Sequence, residues 1–440
     1  MEPGTPTPLS RSHLVTTGRH IAPDTLPVMV DTSTVITSVR PWGGAPSDLV
    51  VQDGRIVSVR PAGSPVGSPV RPAGQVVDGG GRLVIPSFTD AHAHLDSTLL
   101  GLPFRPHTAG PGLVGLIDND RASWRTAGRS VAERATHTLG VTIAYGATAV
   151  RSHAQVDTDA GLERLEGVLA AREAHAARAA VEVVAFPQSG IVRDPGTADL
   201  LSAALAGGAD VLGGIDPCGL DRDPVAHLDT VFALAERHQV GLDIHLHEAG
   251  ELGAFTLSLV FERVRALAMR GRVTISHAFA LPTSAPDRLL DLVEQVAELD
   301  IALTTVAPAG GRHLPLDLLA EHGVRVGLGQ DGTRDYWSPY GNGDMLDRAW
   351  QLAFVSQVRH DHLIERCVAV ATLGGRGVVD ARDGARWSAA AGDTRGVGPG
   401  DPADLVLLPG DSVAAAVMDR PAQRTVLRGG RVVAEDGDLA

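Results

Sequence analysis

The sequence predicts an α/β protein: a (β/α)8 TIM-type barrel with a small β-sandwich domain formed by both termini. Three observations predict it. The middle of the chain alternates apolar, strand-like runs with helical stretches, which is the rhythm of a parallel sheet wrapped by helices. Both ends are instead rich in short strands and turns. Finally, 440 residues, 44% of them hydrophobic, suffice for a barrel of about 250–300 residues plus a smaller unit.

Taken in order, residues 1–27 contain Pro, Thr and Ser but no apolar stretch of the kind a signal peptide carries, and are expected to be a flexible start. Residues 28–85 and 396–440 are expected to form the discontinuous β-sandwich domain. Runs such as DLVVQDGRIVSVRPAG and GRLVIP at one end, and ADLVLLPG and RTVLRGGRVVAEDG at the other, are apolar or alternating and are separated by Gly, Asp and Pro. Residues 86–395 are expected to form the barrel. Its strand candidates are TAVRSHAQV, VEVVAFPQ, ADVLGGI, VGLDIHLHE, RVTISHA, IALTTVAP and VRVGLGQD. Between them, GLERLEGVLAAREAHAARA, AHLDTVFALAERHQ and DRLLDLVEQVAELD place apolar residues three and four apart, as helices do.

Composition narrows the chemistry. A net charge of −14 without a basic block argues against a nucleic-acid partner. No apolar run reaches the roughly 20 residues a membrane span needs. The two cysteines, Cys218 and Cys367, lie far apart, which excludes a disulfide framework and a thiolate cage and makes a cytoplasmic, reducing setting the default. There is no lysine at all. That removes P-loop, Schiff-base and pyridoxal phosphate chemistry.

Four strand ends carry reactive side chains. In Asp90-Ala91-His92-Ala93-His94, alternation turns both histidines to one face, a half-site for Zn(II) or Fe(II). In Asp243-Ile244-His245-Leu246-His247-Glu248, it turns Asp243, His245 and His247 together and leaves Glu248 just past the end. A third strand ends in His277, and a fourth in Asp331 between glycines. Each alone is as readily a satisfied core histidine or a turn residue. Their conjunction on one barrel rim is the donor set a borderline metal wants.

The order HxH, His, His, Asp on such a barrel resembles the amidohydrolase superfamily. Within it, HAHLDST, VRSHAQV, VVAFPQSGI, DIHLHE, ISHA and the stretch from Gly329 to Leu346 resemble cytosine deaminase over most of the chain, the β-rich ends included. The resemblance implies one divalent metal ion per chain, Zn(II) or Fe(II), held by His92, His94, His245 and Asp331. The absence of lysine removes the carboxylated lysine that bridges two metals elsewhere in the superfamily. It further implies Glu248 as proton shuttle, His277 and Asp331 as the groups that activate and orient the attacking water, Gln188 pairing with an amide edge of the ring, and Trp337 stacking on its face. A homo-oligomer is implied as well.

Three positions depart from the pattern. Gly332 follows Asp331 where a second acid is usual, Gln155 stands for an acid, and His247 occupies a position usually acidic. The expectation is therefore a less acidic pocket. The leading reading is a metal-dependent deaminase of a small nitrogen heterocycle, cytosine or a related pyrimidine. The alternative is an amidohydrolase that removes a substituted amine from a triazine-like ring or opens a cyclic amide. A non-catalytic scaffold is disfavoured because no ligand is missing.

Overall fold

A computed structural model describes residues 1, 33–64, 74–381, 385–388 and 395–440. The start expected to be flexible, 1–27, lies outside the described residues apart from Met1. Five N-terminal strands come first: β1 (Thr34–Pro41), β2 (Ser47–Gln52), β3 (Arg55–Pro61), β4 (Gln75–Asp78) and β5 (Leu83–Pro86). Eight barrel strands follow: β6 (Phe88–Ala93), β7 (Ala147–Gln155), β8 (Ala180–Phe186), β9 (Val211–Ile215), β10 (Gly241–His245), β11 (Val273–Ser276), β12 (Ala302–Thr305) and β13 (Val326–Leu328). The chain returns to the terminal sheet as β14 (Leu405–Leu408), β15 (Thr425–Arg428), β16 (Arg431–Glu435) and β17 (Asp438–Leu439).

Strands β6 to β13 pair in sequence order, each parallel to the next. The ring closes between its first and last members through a parallel bridge of Ala93 with Asp331. There the Asp331 amide donates to the His92 carbonyl at 2.8 Å, and the His94 amide to the Asp331 carbonyl at 3.2 Å. Gly329 permits this approach, because a β-carbon on it would lie 2.5 Å from both the Cβ and the carbonyl oxygen of His92. Asp90 ties the same seam, accepting from the backbone amides of Gln330 and His92 at 3.0 and 3.3 Å.

The helices follow their periodicity. Pro224–His238, for example, starts with Pro in its first turn, is capped by Asp223 accepting from the Ala226 amide at 3.0 Å, and buries Leu228, Val231, Phe232 and Ala235 against the barrel. Both termini build one nine-stranded sheet, joined where β5 and β14 pair antiparallel. Alternation then sorts their residues between two cores. Val84, Leu405 and Leu407 face Ile36, Val39, Leu49, Val51 and Ile56 inside the sandwich, while Leu83, Ile85, Val406 and Leu408 pack into the barrel's own core. The apolar text around Leu83–Phe88 thus serves two sheets, with Ser87 as the crossing point. Among the described residues no helix is long and apolar enough to cross a membrane.

Candidate metal centre and active site

The closing seam of the barrel is also where candidate metal donors gather. His92 lies within β6, His94 just beyond it, and Asp331 three residues past β13. Across the barrel, β10 ends in His245. The His94 Nε2 and His245 Nε2 atoms approach to 3.3 Å, and the Asp331 carboxylate lies 3.4 Å from His94 Nε2 and 3.7 Å from His92 Nε2. Donors about 2.1 Å from one tetrahedral ion sit about 3.4 Å from each other, so these atoms fit a single borderline cation. One donor atom from each of His92, His94, His153 and His245 falls within 4.8 Å of the others, as for His92, His277 and Asp331.

The tautomer of His92 follows from its neighbours. Ser276 Oγ donates to Asp243 at 2.6 Å, leaving its lone pairs to accept from Thr304 Oγ1 at 2.8 Å and His92 Nδ1 at 2.9 Å. The proton of His92 is therefore on Nδ1. Its Nε2 is a buried lone pair without a partner, aimed among the other donors. Behind it, Arg151 from β7 holds the second Asp243 oxygen at 3.0 Å. Burial would raise Asp243, but the His153 and Arg151 charges prevail and bring its pKa to about 2. Burial, with the neighbouring imidazoles, pushes His92 and His245 well below the ordinary histidine range, so both are neutral, ligand-competent rings.

The proton-handling candidates are less uniform in position. Burial, reinforced by His247, lowers the pKa of His277 to about 3. Its ring lies 4.8 Å from His92 and 5.2 Å from His245, centre to centre. Both His277 and Asp331 adopt left-handed backbone, φ +67° and +63°, conformations that non-glycine residues hold only when the surroundings impose them. Glu248 is turned to the loop after β9. It accepts from the Cys218 and Gly219 amides at 2.8 and 2.7 Å and from Thr256 Oγ1. Its neighbour His247 does line the cavity, with Nδ1 bonded to Asp216 at 2.7 Å.

The cavity in front of these groups has a volume of about 770 Å³. Phe186, stacked on His245 with ring centres 4.1 Å apart, forms one wall, and Gln188 and Trp337 line it too. The Gln188 amine is already committed, donating to Asp120 at 2.8 Å and to Gln155 Oε1 at 3.0 Å. Gln155 in turn donates to Asp157 at 2.6 Å. A carboxylate at each end fixes the direction of this amide chain, so Gln188 presents its carbonyl oxygen rather than both halves of its amide. Trp337 is half-buried and packs beside Ile117 and Leu220.

The structure brings His92, His94, His245, Asp331 and His277 together, sets Gln188 and Trp337 on the cavity wall, and leaves Glu248 outside it. His153 is the residue that the sequence reading missed. Its signal was present in VRSHAQV, where alternation puts Arg151, His153 and Gln155 on one face of β7. His153 Nε2 lies 3.5 Å from Asp243 and its ring 4.3 Å from that of His92.

Comparison with known proteins bears on this arrangement. The chain is 34% identical over 304 residues to an uncharacterised Escherichia coli protein, YahJ, a match that covers 68% of this chain and 65% of that protein's length. The crystal structure of N-isopropylammelide isopropylaminohydrolase from Burkholderia multivorans superposes with a TM-score of 0.84 at 36% identity, over 93% of this chain and all of that one. That of 5-methylcytosine deaminase from Klebsiella pneumoniae, liganded with 5-fluorocytosine, superposes with a TM-score of 0.74 at 26% identity, over 92% and 97% of the two chains. The model of the Amidohydrolase family matches residues 75–434, the terminal sheet and barrel together, and the chain belongs to that family.

Proposed function

We propose that this protein hydrolyses the bond between a small nitrogen heterocycle and an exocyclic amine, releasing ammonia or an alkylamine. The observation that carries this reading is the convergence of imidazoles and one carboxylate at the inner end of a cavity roomy enough for a substituted ring. Likeness to an aminohydrolase of N-isopropylammelide and to a 5-methylcytosine deaminase supports the substrate class. The higher identity and fuller coverage of the former favour a substituted amine on a triazine-like ring over free cytosine.

His92, His94, His245 and Asp331 would hold one divalent ion, Zn(II) or Fe(II). Such an ion would lower the pKa of bound water toward ~7. Asp331, below the usual carboxylate range despite burial because histidines crowd it, is ionised, and would accept the proton of the attacking water. Neutral His277 orients the attacking water. Glu248, raised by burial, carries the proton to the departing amine once its side chain leaves the Cys218 and Gly219 amides for the cavity. Gln188 accepts an N–H from the ring, and Trp337 covers its face. General acid–base help of this kind contributes about 10² to 10⁴ in rate.

The test is amine release by purified, metal-loaded protein from cytosine, isocytosine, 5-substituted cytosines and N-alkylated aminotriazines, with Asp331→Ala as control. The reading requires release from at least one ring, abolished in the variant. Stoichiometric metal with silence across the panel contradicts it.

A further inference from the structure

Position 332 poses a question that its own backbone does not answer. Gly332 directly follows Asp331 and lines the cavity, yet its φ is not among the positive values that favour glycine. What forbids a side chain is space. A β-carbon on Gly332 would lie 1.9 Å from Asp335 Oδ2 and 2.5 Å from Asp335 Cγ. The carboxylate of Asp335 occupies the place where a side chain at 332 would begin.

That carboxylate is anchored on one side and open on the other. Oδ1 accepts from the Trp337 and Ser338 amides at 2.9 and 2.8 Å, which fills it and shapes the loop. Oδ2, the atom against Gly332, accepts only from Ser97 Oγ at 3.2 Å. The residue is 8% exposed and lines the cavity. Among the described ion pairs no cation faces it. The charges that act on it are those of Asp331 and Asp120, of its own sign. Burial, reinforced by those two charges, pushes its pKa up to about 7, so the empty group takes up a proton easily, and a ligand N–H on its spare acceptor at the cavity wall would hold it ionised. Gln188 adds a second acceptor on that wall, since its amine is held by Asp120 and Gln155.

We propose that Asp335 is the specificity-determining carboxylate of this site, binding an N–H of the substrate's amino substituent, and that residue 332 is glycine so that the carboxylate can reach it. The proposal rests on the heterocycle reading above and deepens it. The site selects rings that donate hydrogen bonds from exocyclic nitrogen, and rejects isosteres that present only acceptors.

The experiment measures dissociation constants on zinc-loaded protein for 2,4,6-triamino-1,3,5-triazine and its 2,4,6-trimethoxy analogue, which has the same ring and no N–H. Asp335→Asn keeps an oxygen for the Trp337 and Ser338 amides but turns the free acceptor into a donor. A second variant, Gly332→Asp with Asp335→Ser, moves the acid back to position 332. The wild-type protein should prefer the triamino ring at least tenfold. Asp335→Asn should weaken that ring by about ten- to a hundredfold and the trimethoxy ring by less than about twofold, as expected for one charged hydrogen bond. The double variant should recover the preference. Equal loss on both rings in Asp335→Asn would reduce Asp335 to a loop former, and a wild-type protein without preference would overturn the proposal outright. Failure of both rings to bind the metal-loaded wild type would instead overturn the heterocycle reading, and this assignment with it.

Discussion

His92 presents its lone pair to the cluster because its other nitrogen is committed to Ser276, and Ser276 to Asp243. Replacing Ser276 with Ala removes the acceptor that fixes the tautomer. Metal affinity should fall about 10- to 100-fold, measured by competition with a chromogenic chelator. Unchanged affinity would show that the ring is held by packing alone. A second prediction concerns Cys367, buried and pushed up to about 12 by that burial. The folded thiol keeps its proton while the unfolded one loses it near the ordinary thiol value of 9.0. The folded state therefore binds more protons in that window, and stability must fall as pH rises from about 9 to about 12. Urea melts across that range should show a shallower decline in Cys367→Ala than in wild type.

At the scale of elements, the barrel strands were legible because most are short apolar runs that lead into polar or glycine-rich connections. The candidate metal-binding residues were legible because His, Asp and Glu cluster at several of those ends. What resisted reading depends on contacts between distant segments. His153 is one of several polar residues in β7, and only the 92-residue reach from Arg151 to Asp243 shows that this face meets the centre. The amide direction of Gln188 depends on Asp120 and Gln155, 68 and 33 residues away. Spacing placed Glu248 beside His245 but not the three donors that turn it away. The expectation of a less acidic pocket, drawn from Gly332, overlooked a carboxylate arriving from position 335. The closing seam offers a test at this scale. Gly329→Ala would drive a methyl into His92. We expect a stability loss of about 1–3 kcal/mol by urea unfolding, together with reduced metal occupancy. A fully loaded, equally stable variant would contradict the seam's tightness.

At the scale of the whole molecule, the terminal sheet and the barrel are fastened by a buried ion pair as well as by shared core. Arg424, fully buried in the turn before β15, grips both oxygens of Asp344 at 2.7 Å and the Tyr145 carbonyl at 2.6 Å. Asp344 also caps the helix Met345–Val355 that follows the cavity loop. Arg424→Ala strands a buried carboxylate, and should cost about 3–5 kcal/mol in chemical denaturation. A loss below about 1 kcal/mol would mean that water repairs the gap.

The central claim is that one divalent ion per chain, held at the seam that closes this barrel, enables hydrolysis of a carbon–nitrogen bond. It is tested most directly by stripping the protein with a chelator and measuring amine release from its best substrate as Zn(II) or Fe(II) is added back. Activity should rise in proportion to bound metal and level at one ion per chain, with neither binding nor activity in His245→Ala. Full activity in the stripped protein, or a plateau only at two ions, would contradict it.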